Sequence, residues 1–284
     1  MPIRLALFGK PIKTSLSPVI HGMFARQLGL NISYRLIETG PGDFPGALED
    51  FRLSGGIGCN VTLPLKRDAW QLAAQASEEV SQAQAANTLK YQPSGWFANT
   101  TDGVGLVTDM AVNHGIALEG RRILILGAGG ATASVFGSLL ERKPRQVLLV
   151  NRNLERAHAL VARFGASTGV SVSGWSDLSG ESGFDLVINS TSLGHQGEAP
   201  DLDKSLFATS AVCYDLNYYK ASLPLKSLCE GMGQAYVDGL GMLVEQAAAS
   251  FYIWTGKRPD SRAVIDALKV DRRVGNLLPT RKTS

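Results

Sequence analysis

Asn60, Thr62 and Lys66 occupy the stretch GCNVTLPLK (58–66), an amide, a hydroxyl and an ammonium spaced so that a strand would turn them to one side. Pro64 marks the end of that strand and a turn before Lys66. Other uncharged polar groups stand at the ends of predicted elements: Ser15, Ser17, Asn87 and Thr101, with Asp102 as the ionisable companion of Lys66. Singly, each has an ordinary reading, with Ser17 as an N-cap, Lys66 as a solvated lysine and Asp102 as a turn or cap residue. Together they resemble a pocket for a polyhydroxylated carboxylic acid, in which a lysine and an aspartate handle a proton.

A second set of residues points to a nucleotide. In ILILGAGGATASVFGSLL (123–140) a buried strand runs into Gly127, Gly129 and Gly130 and then into a helix. Glycines there let a backbone approach a pyrophosphate, and the free N–H groups of the helix start bind its charge. Thr132 stands where the third glycine of G-x-G-x-x-G would fall. The following strand ends in VNRNLER, with Asn151, Arg152 and Arg156 and no carboxylate before Glu155. NAD sites place an acid at that point for the ribose 2′-hydroxyl, whereas guanidinium groups suit a 2′-phosphate, so NADP is favoured.

These groups need elements to hold them, and strand-like and helix-like segments alternate almost throughout, which predicts an α/β protein with mainly parallel sheets. IRLALFG (3–9), ISYRLIE (32–38) and IGCNVTL (57–63) read as strands, with a helix capped by Ser17 and another over DFPGALEDFRLSGG (43–56). Helical spacing runs from about Leu65 to Gln84, and NTLKYQ with GWFAN forms a hairpin pair. After Asp102-Gly103 comes a helix over 103–114, then strands in RRILILGAGG, QVLLVNR, near Val170, FDLVINS and AVCYDLN, in the order of a dinucleotide-binding domain. Past Asp238, GMLVEQAAASFYIW and RAVIDALKV are helical, with apolar faces able to cover the first domain. The expected domains are 1–103 (catalytic), 104–238 (Rossmann) and 239–284 (helices completing the first).

Composition excludes several classes. The 284 residues carry 28 basic and 25 acidic side chains, a net charge of +3 spread along the chain, which leaves no footprint for nucleic acid. The densest basic stretch, Lys269, Arg272, Arg273, Arg281 and Lys282, reads as a solvated tail. Three scattered cysteines and four scattered histidines offer no disulfide framework and no metal site, and fit a reducing cytoplasm. The apolar run in MPIRLALFGK is too short for a secretory signal. The uncharged run 123–140 just reaches membrane-spanning length, but its glycines and its strand-and-turn first half argue against a span.

The motifs SLSP, NVTLPLK, ANTL, TDGVGL, GAGGA, NRNLERA, NSTSLG, YDLNY and DGLGMLVEQA resemble those of the shikimate dehydrogenase family, in its order and spacing, from about residue 8 to 255. The resemblance implies an α/β amino-terminal substrate domain, a Rossmann domain binding NADP, and carboxy-terminal helices that pack back on the first domain. It implies reduction of 3-dehydroshikimate to shikimate in aromatic amino-acid biosynthesis, with small molecules as the partners of a cytoplasmic monomer or homodimer. Carried over by position, Lys66 and Asp102 are the catalytic pair. Ser15 and Ser17 would bind the substrate carboxylate, Asn87, Asp102 and Lys66 its ring hydroxyls, and Thr62, Tyr218 and Gln246 would complete the site whose floor includes Asn60. Gly127, Ala128, Gly129, Gly130 and Ala131 would hold the pyrophosphate, Asn151, Arg152 and Arg156 the adenosine phosphate, and Gly239 and Met242 would lie by the nicotinamide. The chain departs from the family pattern at Thr14, Thr100, Asn153 and Leu223, where histidine, asparagine, threonine and threonine are frequent. A quinate-using paralogue and a non-catalytic dinucleotide-binding regulator are the alternative readings.

Overall fold

The computed structural model describes residues 1–165 and 169–270, so most of the basic tail lies outside the described residues. The chain divides into two compact units, Met1–Thr101 with the chain from Val244 onward, and Asp102–Leu243. The boundaries therefore fall two residues before the expected first one and five after the expected second.

In the first unit β1 (Ile3–Gly9), α1 (Ser17–Gln27), β2 (Ile32–Glu38), α2 (Phe44–Leu53) and β3 (Gly56–Val61) form parallel crossovers. Then come α3 (Lys66–Leu72), β4 (Gln75–Ala76), α4 (Glu78–Ala83), β5 (Thr88–Gln92) and β6 (Gly95–Asn99). The sheet order is β2-β1-β3-β5-β6-β4, with β5 antiparallel to both β3 and β6. Alternation along β3 sends Cys59 and Val61 into one core, where Phe8 meets Phe44 and Phe51 edge-on with centroids 5.5 and 5.7 Å apart. It sends Gly58 and Asn60 to the opposite face.

The helical spacing of 65–84 is not one helix. Ala73 turns extended, β4 pairs with β6, and Ser77 caps α4 by accepting from Val80 N–H at 3.4 Å, so a local cap and a strand pairing override the periodicity. β3 also stops earlier than predicted, at Val61. Thr62 to Leu65 form a turn closed by Leu65 N–H to the Thr62 carbonyl at 2.9 Å, and Lys66 is the first residue of the helix that follows, as the turn at Pro64 and the helical spacing from Leu65 imply. Ser17 is likewise no N-cap: α1 begins on it, and Leu16 at the cap position makes no side-chain bond.

The second unit runs α5 (Asp102–Thr108), β7 (Arg122–Leu126), α6 (Gly130–Leu140), β8 (Gln146–Val150), α7 (Leu154–Arg163), β9 (Val170–Ser173), β10 (Phe184–Asn189) and β11 (Phe207–Asp215). The helix predicted to 114 gives way at Asp109–Asn113 to a π-helical turn. Two elements that the sequence reading passed over follow: α8 (Leu223–Met232), opened by Pro224, and β12 (Ala235–Val237). All neighbours in the sheet β12-β11-β10-β7-β8-β9 are parallel. This is the doubly wound order, with its switch point between β7 and β10. Apolar clusters line both faces, one around Phe136 and Ile125, the other around Phe184 and Leu126.

The chain returns through α9 (Leu240–Thr255), within which the unit boundary falls, and α10 (Ser261–Val270). In the first unit Trp254 of α9 packs its pyrrole ring against Gly58 and donates from its indole nitrogen to the Leu89 carbonyl at 3.0 Å. A Cβ on Gly58 would run into that ring. Gly58→Ala should therefore lower unfolding stability by about 1–3 kcal/mol, the usual cost of overpacking. Urea titration checks this, and an unchanged midpoint would contradict it.

Candidate active site

The polar interior of the first unit is built around Asn87. Its Nδ2 donates to Thr101 Oγ1 at 2.9 Å and to Gln246 Oε1 at 3.2 Å, and its Oδ1 accepts from Thr101 N–H at 2.8 Å and the Thr88 hydroxyl at 2.9 Å. Ser250 links the set, 2.8 Å from Thr88 Oγ1 and 3.0 Å from Thr101 Oγ1. Asn87, Thr101 and Gln246 are thus brought together as buried groups, each at most 9% exposed.

Asn60 belongs to this set in a role the sequence reading did not give it. Its amide nitrogen donates to the Asn87 carbonyl, Thr88 and Ser250 at 3.0–3.2 Å, and its oxygen accepts from the Tyr34 hydroxyl at 2.8 Å and faces His21 Nε2 at 3.3 Å. Every hydrogen-bonding position of the amide is engaged within the protein. Asn60 is thereby held within the buried set it shares with Asn87. His21 stacks on Tyr34 at 4.4 Å, and its burial pushes its pKa down to about 3.

The other first-unit residues sit at chain turns and element ends, Ser17 and Thr100 buried and Ser15, Thr62 and Lys66 partly so. Ser15 Oγ accepts from Ser17 N–H at 3.2 Å and lies 3.1 Å from Ser17 Oγ, so the two hydroxyls form a pair ahead of α1. Thr62 packs its methyl against Gly9, where no Cβ would fit, and Lys66 is half-buried at the start of α3, its carbonyl accepting from Ala86 N–H at 2.8 Å. Thr100, in the place where asparagine is frequent, has a buried hydroxyl with no partner among the described residues.

In the second unit Asp102 is the first residue of α5 and 7% exposed. The chain after β7 turns through Gly127, at φ +99, where a Cβ would press on the Ser190 carbonyl at 3.3 Å. Thr132 accounts for the missing third glycine. Its hydroxyl donates to the Gly127 carbonyl at 2.6 Å and meets Ser190 Oγ at 2.8 Å, tying the turn shut from inside. Gly129, Gly130 and Ala131 remain partly open, Gly129 has nothing within 4 Å of its Cβ position, and no side chain caps α6. Asn151 accepts from Ala128 N–H at 3.1 Å, which joins the glycine turn to the β8 end, while Arg152 and Arg156 are exposed beyond it. Asn153 keeps the capping role of a threonine by accepting from Arg156 N–H at 2.8 Å. An uncapped helix start with open glycines and two exposed guanidinium groups fits a dinucleotide carrying a 2′-phosphate.

Tyr218 also falls in the second unit, half-buried, with burial pushing its phenol up. It closes the motif YDLNY, which meets NSTSLG at Asp215, a residue to which the sequence reading gave no role. That carboxylate accepts from Asn189 Nδ2 at 2.9 Å, Asn217 N–H at 3.0 Å and the Tyr236 hydroxyl at 3.2 Å. The sequence signal was an aspartate closing an apolar strand, AVCYD.

The amino-terminal part, residues 7–89, matches the family profile for the shikimate dehydrogenase substrate binding domain. Residues 109–196 match that for shikimate / quinate 5-dehydrogenase, and 239–269 that for the shikimate 5′-dehydrogenase C-terminal domain. A curated relative from Alkalilimnicola ehrlichii, named shikimate dehydrogenase (NADP(+)), is 45% identical over 270 residues, 95% of this chain and 99% of the relative. The chain belongs to the shikimate dehydrogenase family. Among solved structures, an Ael1 enzyme from Pseudomonas putida is 39% identical with a TM-score of 0.88, covering 94% of this chain and 98% of that one. Shikimate dehydrogenase from Thermus thermophilus, in complex with NADP(H) and shikimate, is 31% identical with a TM-score of 0.81, covering 94% of this chain and 99% of that one.

Within this family member Asp215 is fully buried, and burial raises its pKa from 3.8 to about 6 against the lowering effect of its donors. Folded molecules therefore hold a proton that unfolded chains release between those values, so the contribution of this site to stability falls as pH rises from about 4 to about 6 and is level above. Asp215→Asn cannot titrate. The unfolding free energy of wild type minus that of the variant should decrease by on the order of 2–3 kcal/mol across that window. Urea titrations at several pH values read it directly, and a flat or rising difference would contradict the assignment.

Proposed function

We propose that this member of the shikimate dehydrogenase family reduces 3-dehydroshikimate to shikimate with NADPH, reversibly, as a step of aromatic amino-acid biosynthesis. The observation that carries the reading is the end-to-end alignment, at 45% identity, with a curated NADP-dependent shikimate dehydrogenase. The open helix start after β7 and the exposed Arg152 and Arg156 support it.

NADPH supplies the hydride. The chain binds and orients the acceptor and moves a proton. The hydroxyls of Ser15 and Ser17 bind the substrate carboxylate. Asn87 and Gln246 bring two amides together, Asn87 held by the Thr101 hydroxyl and N–H and Gln246 Oε1 by Asn87 Nδ2, and so select ring hydroxyls over apolar groups. Thr62 and Tyr218 complete the substrate contacts. As the ketone oxygen gains negative charge, the Lys66 ammonium stabilises it and gives up a proton to it, which yields the alcohol, and Lys66 takes the proton back in the reverse direction. Asp102 orients Lys66.

Gly127 to Ala131 hold the pyrophosphate, Arg152 and Arg156 hold the 2′-phosphate, Asn151 shapes the turn that joins them, and Gly239 and Met242 border the nicotinamide. The protein works in the cytoplasm, a reducing compartment that suits the free thiols of Cys59, Cys213 and Cys229. Among the described residues no helix is long and apolar enough to cross a membrane.

Lys66→Ala should reduce turnover by roughly 10² to 10⁴, the range of a positioned proton-transfer group, with NADP binding nearly intact. Near wild-type turnover in steady-state assays would move the proton role elsewhere. Arg152→Ala should raise the Michaelis constant for NADP by about tenfold or more, the worth of a charge-assisted hydrogen bond, and change that for NAD little. Equal effects on the two cofactors would count against a 2′-phosphate contact.

A further inference from the structure

One buried acidic group has no part in the chemistry above. Asp109 is fully buried where α5 gives way to the π-helical turn, a local irregularity that recurs at functional sites. Its Oδ2 accepts from the Tyr214 hydroxyl at 2.7 Å, its Oδ1 accepts from Asn113 Nδ2 at 2.9 Å, and His114 Nε2 lies 3.6 Å away. Taking a carboxylate out of water is costly, and these neighbours offset the cost. Such a group is an expensive way merely to fill space, so its remaining neighbour is informative.

That neighbour is Gly241. A Cβ there would run into the Asp109 carboxylate, so the backbone of 241 lies directly on it. The Tyr214 oxygen in turn receives a backbone hydrogen bond from Met242. On the other side Gly239 is pressed against the Leu216 carbonyl, with its N–H donating to the Asn217 carbonyl at 2.9 Å. The segment 239–242 is therefore held between the end of β11 and the Asp109–Tyr214 pair, within the second unit. Only glycine at 241 permits that approach.

We propose that Asp109 and Tyr214 are positioning residues that fix the Gly239–Met242 backbone and so set the place of the nicotinamide ring. The inference rests on the proposed assignment of Gly239 and Met242 to the nicotinamide. It separates two halves of one cofactor: the adenosine end is bound by the β7–α6 turn and the arginines, which this pair does not touch, and the nicotinamide end by the segment it supports.

The test compares NADPH with 2′-phospho-ADP-ribose, which has the adenosine, the pyrophosphate and the 2′-phosphate but lacks nicotinamide. Tyr214→Phe removes one oxygen and keeps the ring. By calorimetry it should weaken NADPH about tenfold, the equivalent of a lost hydrogen bond, while affinity for the truncated ligand changes less than about twofold. The fluorescence lifetime of bound NADPH should shorten toward that of the free nucleotide. Asp109→Asn, which keeps the side-chain shape, must show the same split, and it decides the question if Tyr214→Phe does not fold. A fall in melting temperature with both affinities unchanged, or an equal loss for both ligands, would overturn the proposal and leave the pair a purely structural tie. A wild-type protein that binds the truncated ligand but gains nothing from nicotinamide would overturn it too while sparing the 2′-phosphate assignment. One that neither binds NADPH nor oxidises shikimate would overturn it together with the function it rests on.

Discussion

The Asn87 side chain, held from one side by Thr101 and from the other by Gln246, is the interaction on which the first unit depends. Around it the protein buries a connected set of amides and hydroxyls from β3, β5, the residue after Thr100, and α9. Buried polar groups in a low-dielectric interior cost several kcal/mol each when unpaired and strengthen one another when all are paired. The set is uncharged apart from titratable His21 and Tyr34, and burial keeps both neutral near pH 7, His21 by lowering its pKa and Tyr34 by raising it. No ion has to be desolvated to assemble it. The consequence is orientational. An amide whose oxygen and nitrogen are both engaged cannot rotate, so the geometry of this set is decided by folding, before any ligand arrives.

The second unit uses the same device at its strand ends. Gly127 takes a left-handed backbone because it has no Cβ, and Thr132 and Asn151 fasten the turn it makes. Asn189, Asp215 and Asn217 tie the ends of β10 and β11 together, beside the β7–β10 switch point where a doubly wound sheet takes up its ligand. The order of the sheet supplies the crevice, and these side chains supply its shape. Departures from family habit are absorbed where the physical role is local, as with Asn153 in place of threonine at the α7 cap.

Much of this was legible in the sequence because its cause is local. β1, β2, β7, β8 and β10 follow from apolar runs bounded by glycine or polar residues, and the glycine turn from residues that adjoin one another. The misread segments are those in which a distant partner or a cap decides. The 65–84 stretch has helical spacing, yet pairing of Gln75 and Ala76 with β6 and the Ser77 cap divide it. β3 reads as running to Leu63 because alternation continues past Val61, whereas the chain already turns at Thr62–Leu65. Strand period gives Asn60 a face but not its neighbours, which include Ser250, 190 positions away in sequence. Asp109 and Tyr214 are likewise 105 positions apart, and nothing in either local motif announces the other.

The account stands or falls on substrate and cofactor together. Steady-state rates of the purified protein with shikimate and quinate, each offered with NADP and with NAD, measure both at once. The account predicts that kcat/KM for shikimate with NADP exceeds every other pairing, by on the order of tenfold or more, because loss of a charge-assisted contact or a mismatched hydroxyl each costs that much. Turnover highest with quinate or with NAD, or no turnover with any pair, would contradict it.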